Sequence, residues 1–316
     1  MTLSLNTKSR LQRGLGSNTA ANELEQFLGP VAGTTYFVDS TSSVDSDTTS
    51  RAGTSRDEPF SSLDYAIGRC TASKGDVIVL MPGHVETTTA IALDVAGVTI
   101  IGLGSGRLKP ALTATTASTD LINVTAANCA IYNVRLVGAA SGCTALLDVA
   151  ADDFYAERVV FEHGAAPVSA VTVPGSFSRG KLVDCEWRGT AAGPDYCVYF
   201  ENGATTGTIK DWQIIRARAQ YAVSAGLDLA FVRADRKCPG LLIVDPIVIG
   251  FDTLVIDINS STLAQGDGML IGGASVSTAS QTIANVHDVG GVSIIEHRVT
   301  DAVTAKGLVI PTATPD

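Results

Sequence analysis

Leu121-Ile122-Asn123-Val124-Thr125-Ala126 returns 25 residues later as Leu146-Leu147-Asp148-Val149-Ala150-Ala151. At the same offset, Asn133-Val134-Arg135-Leu136 returns as Arg158-Val159-Val160-Phe161. Two strand-sized pieces repeating together at one spacing mark a stacked structural unit. A β-sandwich or jelly roll also has many short strands but has no reason to repeat at this period. Upstream, Ala96-Gly97-Val98-Thr99-Ile100 matches Ala127-Asn128-Cys129-Ala130-Ile131 at an offset of 31, with the excess assigned to a longer loop around Pro110–Thr119. Downstream, Glu162 is matched to Glu186 at 24, Leu182 to Ile209 at 27 and Leu241 to Met269 at 28.

A period near 25 with two or three short strands per unit reads as coils of a parallel β-helix. A lone coil cannot bury its inner face, so coils stack at about 4.8 Å and share one core. Inward and outward positions alternate, as in the Val-x-Val and Ile-x-Val pairs. Gly and Asn between strands tolerate the positive φ that corners need. The predicted fold class is all-β, a right-handed single-stranded parallel β-helix with an N-terminal arm and a short capping helix. Residues 1–30 form the arm, 31–280 the β-helix with its cap and first coil at 31–86, and 281–316 a C-terminal β cap and tail.

The composition agrees. Of 316 residues, 45% are hydrophobic, 17% charged and 6% aromatic. That is too apolar for a disordered chain and too poor in charge for a coiled coil. The net charge of -10 provides no basic footprint for nucleic acid. No apolar run approaches the ~18 residues of a membrane span, and none at the start has the form of a signal peptide. Nucleic acid and membrane are therefore not expected as partners. Residues 1–28 are the exception in charge, with Lys8, Arg10 and Arg13 against Glu23 and Glu25. Asn18 or Thr19 is placed to cap a helix over Ala20–Leu28, which Gly29-Pro30 ends.

One block carries a likeness. Tyr36-Phe37-Val38-Asp39-Ser40, Glu58-Pro59-Phe60-Ser61-Ser62-Leu63-Asp64-Tyr65-Ala66-Ile67 and Gly75-Asp76-Val77-Ile78-Val79-Leu80-Met81-Pro82-Gly83, followed by His84-Val85-Glu86, resemble the opening of pectin-lyase-like β-helix proteins. The block is more closely similar to β-helix virion proteins of tailed bacteriophages, among them head decoration or cement proteins. Pro59–Ile67 reads as an amphipathic helix with Ser61 or Ser62 at its N-cap and a face of Phe60, Leu63, Ala66 and Ile67, and the resemblance implies that it caps the first coil. It also implies a non-enzymatic homotrimer on the virion's capsid surface, with the major capsid protein as partner. Lys8, Arg10 and Arg13 are then the capsid-binding candidates.

The rival expectation is a tailspike-like polysaccharide-degrading enzyme or a glycan-binding fibre. Glycoside hydrolysis needs two carboxylates on one face. Asp184 and Glu186 are the catalytic candidates of that alternative, as i and i+2 of one extended strand with Glu162 stacked below Glu186. Asp152, Asp153 and Glu157 lie in the preceding coil. The aromatics Trp187, Trp212, Tyr155, Tyr196, Tyr199 and Tyr221 are assigned to inter-subunit grooves or coil ends. No metal site and no cofactor are expected. The four histidines, His84, His163, His287 and His297, show no ligand spacing. The six cysteines contain no CxxC pair and read as small core hydrophobes. Gly102-Leu103-Gly104-Ser105-Gly106 follows a strand but opens no helix, so it reads as a corner and not a phosphate loop.

Overall fold

A computed structural model describes residues 33–48, 50, 53–140, 142–163, 169–189, 194–201, 208–221, 230–235, 237–251, 254–258, 268–277, 287–289, 292–300 and 306–309. The arm, with Lys8, Arg10 and Arg13 and the expected helix over Ala20–Leu28, lies outside the described residues.

Strand β1 (Thr35–Val38) and helix α1 (Leu63–Ile67) precede the coils. Each coil then has three strands. They are β2 (Val77–Leu80), β3 (Val85–Thr88) and β4 (Ile91–Leu93), then β5 (Thr99–Gly102), β6 (Ala111–Ala114) and β7 (Ile122–Val124). Next come β8 (Ala130–Tyr132), β9 (Arg135–Gly138) and β10 (Ala145–Val149), then β11 (Tyr155–Glu157), β12 (Val160–His163) and β13 (Ser169–Val173). These are followed by β14 (Lys181–Val183), β15 (Glu186–Gly189) and β16 (Tyr196–Phe200), then β17 (Gln213–Ile215), β18 (Arg218–Tyr221) and β19 (Ala230–Ala234). The later coils are β20 (Leu242–Val244), β21 (Ile247–Phe251) and β22 (Leu254–Ile258), then β23 (Gly268–Ile271), β24 (Ala274–Ser277) and β25 (His287–Val289). The last described strands are β26 (Val292–Ile295), β27 (His297–Thr300) and β28 (Lys306–Val309).

Equivalent strands pair in parallel and form three ladders. The first runs β1-β2-β5 through β26, the second β3-β6-β9 through β28, and the third β4-β7-β10 through β25. Parallel stacking continues to β27, where the antiparallel partner β28 closes the second ladder. Gly290-Gly291, within the expected C-terminal β cap, lie outside the described residues.

The registers confirm some of the predicted offsets and correct others. Ile122 pairs with Leu147 and Arg135 with Val160, both at 25, and Thr99 pairs with Ala130 at 31. The excess residues of that coil, however, lie at Leu103–Pro110 between β5 and β6, where a short 3-10 turn spans Gly106–Leu108. Glu162 pairs with Arg188, not Glu186. Leu182 pairs with Ile214, not Ile209, and Met269 with Leu242, not Leu241.

From β8 to β24 two residues join the first ladder to the second, and the first of them turns left-handed; between β26 and β27 Glu296 alone does so. Asn133, Arg158, Asp184, Arg216, Asp245, Gly272 and Glu296 all have φ between 49° and 64°. Each from Asn133 to Gly272 donates its N–H to a carbonyl of the next coil, as Asp184 does to Ile215 at 2.9 Å. A second column of this kind precedes the first ladder at Gly97, Asn128, Asp153, Arg179, Asp211 and Gly240. The stacked backbone hydrogen bonds hold even arginine in a conformation it would not choose alone.

The interior is built of register-matched columns. Ile78, Ile100, Ile131, Ala156, Leu182, Ile214, Ile243 and Leu270 stack along the first ladder and are buried. Along the second, Phe161 and Trp187 stack with centroids 5.0 Å apart, and small Ala219 follows. Trp187 also meets Phe231 edge-on, and Phe200 meets Trp212 at 5.5 Å. Both tryptophans are therefore core residues, contrary to the expected grooves or coil ends. The six cysteines are free and five are buried. Burial pushes the Cys143 thiol up to about 11 and the Cys185 thiol to about 12.

The amino-terminal end of the core is closed by the block that carries the likeness. Ser62 is the N-cap of α1, and Leu63, Ala66 and Ile67 are its buried residues. Glu86 lies at the foot of an inward column, and its Oε2 accepts the Leu63 N–H at 2.8 Å. Asp47 accepts from the Ser61 N–H and the Ser62 hydroxyl. Buried Asp76 accepts the N–H groups of Thr34 and Thr71 at 2.6 Å each. His84 Nδ1 accepts the Ser40 N–H at 3.0 Å, which leaves the ring proton on Nε2, 3.3 Å from Glu86. Every polar side chain of this set accepts from a loop or helix donor, and Glu86 does so where the Leu63 N–H is buried.

Candidate functional site

The candidate carboxylates Asp184 and Glu186 lie where the first ladder turns into the second. Asp184 is the left-handed corner residue, so the i, i+2 alternation of an extended strand does not apply to it. Its two oxygens accept from Arg216 Nε at 2.6 Å and a terminal guanidinium nitrogen at 2.7 Å. The Arg216 guanidinium holds the Asp184 carboxyl below its ordinary range. A general acid needs the opposite shift. Glu186 opens β15 and faces Arg188 at 3.8 Å. Arg188 is bonded at 3.0 Å to Glu162, which also faces Arg135 at 3.6 Å. The outer face of the second ladder is thus a chain of alternating charges.

The column before the first ladder repeats the device. Arg179 grips Asp153 through two hydrogen bonds and reaches Asp152 at 3.3 Å. In the middle coils, the carboxylates expected in the alternative reading are therefore committed to arginines.

The third ladder holds a different carboxylate. Asp148 alternates with inward Leu147 and Val149, so it points out of the barrel, between Asn123 and Thr172 in register. It is only 8% exposed. No hydrogen bond to its carboxyl is formed among the described residues, and Asn123 Oδ1 is buried without a partner there. Burial, then the charges of Asp120 and Glu201, push Asp148 up to about 7. Burial raises Asp120 as well. Further along this face Tyr196 and Tyr199 stack at 4.8 Å, and the Tyr199 hydroxyl donates to Asp235 at 2.9 Å. The group can hold and release a proton near neutrality. Its sequence context, an acidic residue at an outward position, gives no sign of this.

The outer face of the first ladder changes along its length. At the amino-terminal end Phe37, Val77, Val79, Met81, Ile101 and Leu103 form a second buried cluster outside the barrel, with Tyr132 against it. At the carboxy-terminal end Met269 and Ile295 are each 43% exposed. Ile215, Leu242, Val244 and Ile271 beside them are half-buried.

Among the described residues, no group of three or more His, Cys, Asp or Glu side chains is placed to hold a metal ion. His84 belongs to the cap, and buried His297 bonds Ser275 and the Gly272 carbonyl. No described helix is long and apolar enough to cross a membrane.

No family model matches the chain, and neither does any curated protein. Among solved structures the chain is similar to ORF18 of Geobacillus virus E2, a phage protein, at 10% sequence identity and a TM-score of 0.42. That alignment covers 98% of this chain and 67% of the other.

Proposed function

We propose that this chain is a structural protein of a bacteriophage virion, decorating and stabilising the capsid exterior as a homotrimer. The observation that carries the reading is the amino-terminal cap. Residues by which the sequence resembles phage virion β-helices, Phe60, Leu63, His84 and Glu86, form one buried network that closes the first coil. The likeness therefore rests on a connected structural unit and not on scattered identities. The salt-bridged faces of the middle coils suit a rigid surface-mounted rod. The major capsid protein is the partner, and Lys8, Arg10 and Arg13 in the amino-terminal segment are its proposed contacts.

Pelleting of purified protein with intact capsids tests this reading. Saturable co-sedimentation that weakens when Lys8, Arg10 and Arg13 are changed together to Ala is expected. Absence of the protein from capsids, together with cleavage of host polysaccharide, would overturn it.

A further inference from the structure

We infer that the outer face of the first ladder from β17 to β26 is the surface through which copies of this chain associate. The inference rests on the homotrimer in the reading above and deepens it by naming the contact. Four successive strands present Ile215, Leu242, Val244, Met269, Ile271 and Ile295 outward, with Gln213 of β17 heading the column that continues through Leu242 and Met269. Flat parallel strands align these side chains in two columns, so the patch is continuous. Isolated exposed apolar residues need no explanation, but a contiguous strip does.

The rim identifies the occupant. Asp245 and Glu296 stand at the corner beside the strip, and Arg218 and Arg298 stand one strand beyond it. All four are exposed, and none forms an ion pair among the described residues. In the middle coils the equivalent corner residues Asp184 and Arg216 grip each other. A rim carrying both signs, each unpaired among the described residues, is complementary to a second copy of itself. It is not complementary to a surface of one sign, such as nucleic acid or an anionic membrane. An apolar centre within such a rim is the anatomy of a protein–protein contact.

The test uses the full chain and light scattering after size exclusion. The parent is expected to assemble. Met269→Lys combined with Ile295→Lys is expected to be monomeric at concentrations at least tenfold above those at which the parent assembles. Arg298→Glu, a change on the surface that leaves the core intact, is measured alongside in case the lysine pair impairs folding. It is expected to weaken association severalfold. Assembly unchanged in Arg298→Glu and in a folded lysine pair would place the contact elsewhere and overturn the inference, while the homotrimer would stand. A parent that is monomeric throughout would also overturn it. Capsid pelleting of the same samples then reports separately on the decoration role.

Discussion

The coils from β11 to β18 and those from β20 to β27 share one corner geometry but use their charges differently. In the first group every corner arginine reaches a carboxylate, Arg158 to Glu157, Arg179 to Asp153 and Arg216 to Asp184. In the second, the corner residues Asp245 and Glu296 form no ion pair among the described residues, and the outward Leu242, Val244, Met269, Ile271 and Ile295 of the first ladder are apolar. Corner geometry accounts for none of this, since both groups have left-handed corners and parallel registers, with one irregularity between Ile249 and Phe251 in the second. The middle of the rod is complete on its own, whereas the carboxy-terminal surface is suited to another surface.

The largest effect is expected in the core of the middle coils. Trp187 is fully buried between Phe161 and Phe231. Trp187→Ala should cost about 3–5 kcal/mol, because the transfer term is lost and a rigid stack cannot collapse into the cavity. Its indole N–H has no partner among the described residues. Trp187→Phe should therefore cost far less, on the order of 1 kcal/mol, because it removes an orphan donor along with some packing. Denaturant titration of both variants checks the ranking. If the two cost the same, the middle coils do not depend on this stack.

Next is the cap. Asp76→Ala removes the acceptor of the Thr34 and Thr71 N–H groups at a part-buried site, and should cost about 1–3 kcal/mol. Hydrogen exchange should show the loss around β1 and β2 and leave the coils from β20 onward unchanged. Uniform loss would instead mean that the rod unfolds as one cooperative unit.

Much of this was legible in the sequence, for reasons that particular residues make plain. The offset of 25 between Leu121 and Leu146 is visible because the coil they bound has only short connections. The match of Glu162 to Glu186 failed because identical letters are weaker evidence than register, and an outward glutamate on a ladder prefers an arginine neighbour. The offset from Leu182 failed because the connection between β16 and β17 is long, and loop length carries no periodic signal. Asn128 and Asn133 read as left-handed corners from their chemistry. Arg158, Arg179 and Arg216 do not, because their conformation is imposed by the coil above. Asp148 reads as an ordinary outward carboxylate, and its burial depends on neighbours that are distant in sequence.

Asp148 predicts a pH dependence of intermediate size. Its folded value near 7 lies above the ordinary carboxylate value near 4. Between these, the folded state holds a proton that the unfolded state has lost, so stability falls as pH rises through this window. Melting temperature should be higher near pH 5 than near pH 8, by the equivalent of about 1–3 kcal/mol. Asp148→Asn should flatten that slope and raise stability at pH 8. A slope unchanged in the variant would move the effect to another group.

The smallest effect belongs to the salt bridges that make the comparison visible. The Arg216 and Asp184 side chains are 55% and 38% exposed, so water and salt screen the pair. Arg216→Ala should shift melting only slightly at neutral pH, and less still in high salt. Because Asp184 is held below its ordinary range, its contribution is present at neutral pH and is lost as pH falls through that lowered value. Parent and variant should therefore converge in strong acid. If instead Arg216→Ala made the middle coils self-associate, the pairing would have a second role, in which a corner that satisfies its own charges is kept from recruiting another copy. Light scattering of Arg216→Ala beside Arg298→Glu distinguishes the two cases, because the first should then gain association where the second loses it.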